Sequence, residues 1–211
     1  MRGPEPALPN RSGPLSVLRK VIVNIVVLAG LTLVGGAGSA WYMIEAGSRF
    51  STRSFGPWTT WVAAGRPDAD PYTRAHIARN GLLPVSSTLE MTFQAKTDSQ
   101  GARLTSSCDY AISMPSPEPV WWTLAVFDGQ GRLIQNAADR YAYNIHTAMR
   151  EPDGRPTINV ARDARPSNWL PSGRSGRIIV VLTVQDPAFA AATHDGSAAK
   201  ALPEIRRTAC R

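Results

Sequence analysis

Apolar positions along this chain fall into two regimes. Residues 21–44 form an uncharged block directly after Arg19 and Lys20; Val21–Val34 is almost wholly aliphatic, and Trp41, Tyr42, Met43 and Ile44 resume the apolar character. As a helix this block reaches about 36 Å, enough for a hydrocarbon core of about 30 Å, and it lacks the polar face of a surface helix. Beyond residue 88 the period changes to two. Leu89–Lys96 alternates apolar and polar, the mark of a strand with one wet face. A turn over 98–101 leads to a second strand over 102–112, with Leu104, Cys108, Tyr110 and Ile112 on one face.

After the prolines of 114–119, Val120–Phe127 is apolar on both faces and is predicted to be central. Asp128-Gly129-Gln130-Gly131 reads as a hairpin turn, and 132–135 and 141–147 as short strands. A strand over 157–162 follows the Asp153-Gly154 turn, and Arg177–Val184 is a second central strand. Between the two regimes, 45–68 reads as a connector. Asp70–Gly81 reads as one short helix, with Asp70 as N-cap, Pro71 in the first helical position and Asn80-Gly81 as the stop. The small, polar stretch 188–201 reads as a loop. About seven strands separated by turns predict a mainly β fold. The expected architecture is an antiparallel, jelly-roll-like β-sandwich with one short helix over 69–211. It follows a basic tail over 1–20 and a single transmembrane helix over 21–44.

Charge gives this layout a direction. The tail holds Arg2, Arg11, Arg19 and Lys20 against Glu5, and the far flank holds Arg49 and Arg53 with Glu45. The stronger basic cluster stays in the cytoplasm, so the domain is expected outside it: a single-pass signal anchor in the inner membrane with its C-terminal domain in the periplasm. The alternative is a cleaved signal peptide, with Val21–Val34 as its apolar region and Gly38-Ser39-Ala40 as its cleavage site. The long leader with Pro4, Pro9 and Pro14 favours the anchor, and both readings export the same domain. The chain carries a formal net charge of +7 without a block of like charge, which argues against a nucleic-acid partner. In an oxidising compartment Cys108 and Cys210 can pair. Such a bridge closes a loop of about a hundred residues, worth ~4–5 kcal/mol in the chain-entropy model. The alternative is two separate thiols.

Candidate chemistry is sparse. His76, His146 and His194 show no metal-ligand spacing, and there is no Gly-x-Ser-x-Gly, His-Glu-x-x-His or phosphate-loop motif. No catalytic residue, metal ligand or cofactor is assigned. Trp121 and Trp122 point to opposite faces of their strand, so one fills the core and the other is a candidate stacking platform. Asn168-Trp169-Leu170-Pro171, between Pro166 and Gly173, reads as a rigid aromatic loop, either a binding element or a plug at the end of the sandwich. The candidate ligand-binding residues are Trp122, Trp169, Asn168, Arg140 and Asp109, and the expected partner is an envelope protein or glycan. The alternative, a hydrolase or metal-dependent enzyme, requires Trp169, Arg140 and Asp109 to converge in one cleft.

These residues also carry a resemblance. Trp121–Asp128, Gly131, Asn136, Asp153-Gly154, Asn168-Trp169-Leu170-Pro171 and the Ile/Val strand over 177–184 occur in an order similar to that of the bacterial domain of unknown function 1214. The stretch from Asp70-Pro71-Tyr72 to Leu83-Pro84 also looks like that family's leading segment, so the match covers roughly residues 72–184. Cys108 and the Leu202-Pro203-Glu204-Ile205…Cys210 ending resemble a short, membrane-anchored subgroup, which independently supports the bridge. The resemblance implies an all-β sandwich. Longer relatives add a second domain that this chain lacks, and no catalytic residue carries over.

Overall fold

The computed structural model describes residues 14–46, 51–79, 81–83, 85–116, 118–174 and 176–211. Residues 1–13 of the expected tail over 1–20, Asn80 of the helix stop and the side chain of His194 lie outside the described residues. The chain divides into two units, Met1–Ala46 and Gly47–Arg211.

The first unit holds one helix, α1 (Pro14–Ala46), which starts earlier than the apolar block because Pro14 suits a first helical position. Its stretch Leu15–Met43 has 29 residues and contains an 18-residue window with a mean hydropathy of 2.2, long and apolar enough to cross a membrane. Side chains from Leu15 to Tyr42 are exposed, so no packing within the unit accounts for their apolar character.

The second unit is a sandwich of two sheets. Its strands are β1 (Thr52–Phe55), β2 (Trp58–Trp61), β3 (Met91–Ala95), β4 (Cys108–Ser113), β5 (Trp121–Asp128), β6 (Ala142–Asn144), β7 (Thr157–Ala161), β8 (Asn168–Pro171), β9 (Ile178–Gln185) and β10 (Glu204–Cys210). Six strands form one sheet in the order β1-β2-β3-β9-β5-β6, and four form the other in the order β10-β4-β7-β8. The predicted alternation holds in β3, where Met91, Phe93 and Ala95 are buried and Thr92 and Gln94 are exposed. The two strands predicted to be central, β5 and β9, pair with each other along their whole length. Inward residues of both sheets, among them Phe93, Trp122, Leu124, Leu182, Tyr110, Ile112, Val160 and Leu170, make one core.

Several features depart from the expected layout. The predicted connector carries the β1–β2 hairpin, which turns at Gly56 with φ 57° and joins the large sheet through β2 and β3. Trp58 of this hairpin is fully buried and donates its indole N–H to the Pro203 carbonyl at 2.7 Å. The expected loop over 188–201 is instead α3 (Pro187–Asp195) followed by a 3-10 turn (Ser197–Ala201). Asp186 caps α3 by accepting the amides of Ala188 and Phe189, Pro187 begins it, and Gly196 ends it with φ 89°. The alanines that made the stretch look featureless are strong helix formers. The one helix that was predicted is α2 (Pro71–Arg79), capped by Asp70 as expected.

The third departure is Asn168–Pro171, which is a strand and not a loop; β8 runs parallel to β7, so the sandwich is not wholly antiparallel. At the chain end the departure is the strand β10 itself, which pairs with β4; it brings Cys210 directly opposite Cys108, and the two form the expected disulfide. The predicted second strand begins only at Cys108; Arg103 and Thr105 make isolated bridges. The predicted strand over 132–135 is reduced to one bridge between Phe127 and Leu133.

Candidate functional site

Beside the outward side of the four-stranded sheet two of the sequence candidates, Trp169 and Arg140, come together. Register puts Trp169 of β8 opposite Asn159 of β7, Ala111 of β4 opposite Asn159, and Arg206 of β10 opposite Ala111. This row crosses the sheet over three strand spacings, about 14 Å. Small side chains leave the middle open: a groove of about 540 Å³ lies over Ala111, Ser113, Thr157 and Asn159, between Arg206 and the Glu151–Arg155 turn. The turn is shaped by Gly154, whose φ is 82° and whose amide donates to the Glu151 carbonyl.

At the β8 end of this row Arg140 sits beside two rings. Its guanidinium carbon lies 5.8 Å from the Tyr143 ring centre and 5.9 Å from that of Trp169. Both are within reach of cation–π attraction. The guanidinium also donates to the Trp169 carbonyl at 3.4 Å. Trp169 is half-buried; its indole N–H donates to the Ala161 carbonyl, and its amide donates to the Tyr143 hydroxyl. That hydroxyl satisfies an outward amide on an edge strand, where unpaired groups otherwise invite pairing with another chain. Arg140 is presented by Asn136, whose side chain accepts the Arg140 amide and donates to the carbonyls of Ile134 and Arg140.

Backbone strain converges here. Among the described residues, the non-glycine residues with left-handed φ are Asp139 at 48° and Ser167 at 65°. One immediately precedes Arg140 and the other immediately precedes Asn168. Holding such conformations costs about 1–2 kcal/mol each. Such strain tends to cluster at ligand clamps and active sites.

The remaining candidates have other roles. Asn168 is completely buried: its amide N–H groups donate to the carbonyls of Met149 and Thr157, and its oxygen accepts the Met149 amide at 2.7 Å. It pins the start of β8 and has no capacity left for a ligand. Trp122 is the core ring of its pair, with no exposed surface, and Trp121 is the half-buried one; this corrects the choice of Trp122 as a surface platform. Asp109 is buried to 7% exposure in an ion pair with Arg165. It lies two strands from Trp169, about 10 Å across the sheet, so Asp109 and Arg140 do not meet in a cleft. Tyr143, and Asn136, which the sequence marks only through the family resemblance, are not among the candidate ligand-binding residues; Tyr143 follows the inward alternation of its strand, and Asn136 occupies a turn position suited to side-chain capping. Among the described residues no group of three His, Cys, Asp or Glu side chains gathers as a metal site. His76 stacks on Trp61 with ring centres 4.3 Å apart.

The carboxylates of the turns are held in their ionised form. The Arg155 amide, then its guanidinium, keeps Asp153 beside the groove below the ordinary aspartate value. The Arg132 amide, with the guanidinium and the Gln130 amide, does the same for Asp128, and the Arg211 guanidinium does so for Asp163. A carboxyl whose folded pKa is depressed contributes stability above its unfolded value, and that contribution disappears as pH falls through the folded value. The thermal midpoint is therefore expected to stay level from about pH 5 to pH 8 as far as these groups act, and to fall below about pH 4. Circular-dichroism melts across that range check it; a midpoint that rises on acidification below pH 4 contradicts it.

Residues 89–189 match the family model described as "Protein of unknown function (DUF1214)". That span begins just before β3 and ends in α3, and it contains Arg140, Tyr143 and Trp169. No curated protein matches the chain. Among solved structures, the VPA0106 protein from Vibrio parahaemolyticus superposes with a TM-score of 0.59 at 16% identity, over 95% of this chain and 47% of that one. An uncharacterized protein from Burkholderia cenocepacia reaches a TM-score of 0.42 at 12% identity, over 95% of this chain and 44% of that one. The first likeness is one of fold. The chain spans about half the length of the solved structures it matches.

Proposed function

We propose that this chain, whose residues 89–189 form a domain of the DUF1214 family, is a non-enzymatic glycan-binding protein of the cell envelope. In this reading α1 anchors it in the inner membrane with its N-terminus in the cytoplasm, and the sandwich faces the periplasm. The ligand lies across the outer side of the four-stranded sheet.

The observation that carries the reading is the Arg140 guanidinium beside the Trp169 and Tyr143 rings, flanked by strained backbone at Asp139 and Ser167, with Trp169 paired across one strand spacing to Asn159, which lines an open polar groove. An aromatic ring offers a flat apolar surface to a sugar ring. Arg140 and Arg206 supply donors to carboxylates or ring oxygens at the two ends, and Asn159, Ser113 and Thr157 hydrogen-bond in between. A span of about 14 Å accommodates a short oligosaccharide and not a monosaccharide alone. The membrane orientation is supported by the apolar length of α1 and by the excess of Arg and Lys before it.

The test is retention of the detergent-solubilised full chain on immobilised envelope glycan. Trp169→Ala and Arg140→Ala are each expected to weaken binding at least tenfold while the melting midpoint stays within a few degrees of the parent. Equal retention of parent and variants, or no retention of the parent, overturns the reading.

A further inference from the structure

The outward side of the six-stranded sheet differs in character from the face described above. On β5 and β9 the inward residues Trp122, Leu124, Val126, Val180 and Leu182 belong to the core. The alternate residues Phe127, Ile179 and Val181 point outward and are half-buried, although aliphatic and aromatic. Register places Phe127 beside Ile179, and Ala125 beside Val181, giving an apolar strip along the two central strands. One end of the strip opens into a cavity of about 290 Å³. Its floor is Leu104, Ile178 and Ile179, and its rim carries Lys96, Arg103 and Arg177. Lys96 follows Ala95, whose partner is Val180, so Lys96 borders Ile179 at the head of the strip.

Among the described residues, three cations and no carboxylate line this cavity. Gly129 lines the cavity too, and a Cβ there would lie 3.1 Å from the Arg177 Cβ, so glycine lets the hairpin turn approach the start of β9 and close one wall. A cationic rim attracts an anion. A soluble anion alone gains nothing from an apolar floor continuous with an apolar strip, whereas each methylene of a hydrocarbon tail buried there adds to the affinity.

We propose that this face binds a single-tailed anionic amphiphile, its phosphate or carboxylate at Lys96, Arg103 and Arg177 and its tail along Ile179, Phe127 and Val181. The site lies on the other sheet from the glycan face and does not depend on it, so either can fail alone.

The test uses the full chain in phosphatidylcholine nanodiscs with a photoactivatable dodecyl phosphate, and labelled peptides are mapped by mass spectrometry. Labelling within residues 15–43 reports partition into the bilayer and serves as the internal reference. The proposal predicts labelling of 120–128 and 177–185, competed at least tenfold by unlabelled dodecyl phosphate but not by inorganic phosphate at equal concentration. Lys96→Gln with Arg103→Gln is expected to lower that labelling at least tenfold, and Val181→Asp to do so independently, each with an unfolding midpoint near the parent's. Labelling confined to 15–43 overturns the proposal. So does equal labelling of parent and folded variants, equal competition by inorganic phosphate, or equal labelling by a neutral-headed dodecyl maltoside analogue.

Discussion

Replacing Cys108 and Cys210 together by serine is expected to lower the unfolding free energy by ~4–5 kcal/mol. The two half-cystines sit directly opposite each other on β4 and β10 with a sequence separation of 102. The bridge restrains the unfolded chain over nearly half its length. In the native state it secures an edge strand whose outer part is weakly held: after a bulge between Arg207 and Ala209, the last residues of β10 are exposed. The inner part keeps other anchors, since Ile205 is fully buried and Arg207 pairs with the buried Asp98 at 2.8 Å. The double variant should therefore fold, with a lower midpoint, rather than lose the sandwich. Denaturant titration of the variant against the oxidised parent measures the difference. A midpoint unchanged between them contradicts this role for the bridge. A loss of this size is a large share of the roughly 5–15 kcal/mol that holds a typical domain together.

Trp122→Ala is expected to cost ~3–5 kcal/mol, the usual range for emptying a buried aromatic site. The ring has no exposed surface, and its indole N–H donates at 2.9 Å to Glu118, whose other carboxylate oxygen pairs with Arg150. Truncation leaves a cavity between the sheets and removes a donor from a carboxylate whose side chain is only 11% exposed. Trp122→Phe restores most of the volume but not the donor, and should lose about 1.5–3 kcal/mol. Trp121→Ala, on the outward side of the same strand, is the internal comparison and should cost less than either. Chemical denaturation of the three variants gives the ranking; a Trp121→Ala loss equal to that of Trp122→Ala contradicts the assignment of faces.

That ranking bears on what the amino-acid pattern could reveal. Alternation in β3 and the apolar runs of β5 and β9 are local signals, because each residue's face follows from its neighbours in the chain. The Asp70-Pro71 cap is local in the same way, and α2 forms where it is predicted. β1, β2 and β8 have four residues each, and these segments and β10 are held in place by distant partners: Trp58 closes on Pro203, Asn168 on Met149 and Thr157, and Cys210 on Cys108. No local periodicity announces such partners. Asp186-Pro187 before α3 was a readable start signal, obscured by the run of small residues after it.

The candidate site was legible in part. Trp169 and Arg140 do come together, 29 positions apart, through the Asn136 turn and the edge strand β8. The side chains of Asn168 and Trp122 suit recognition, but the same groups are consumed within the fold. Which of two adjacent tryptophans faces inward depends on a register one position either way. Asp109 illustrates a further limit: its partner, Arg165, is 56 positions along the chain, and only the placement of the 162–167 link beside β4 brings them into contact.

The central claim is that a glycan lies across the four-stranded sheet from Trp169 to Arg206. Hydrogen–deuterium exchange of the full chain, with and without envelope glycan fragments, tests it most directly. The account predicts slowed exchange in 140–143, 151–159, 168–171 and 204–208, with the peptides of β3 and β9 unchanged and with the effect abolished by Trp169→Ala. Protection absent from these segments at saturating glycan, or identical in the parent and Trp169→Ala, would contradict it.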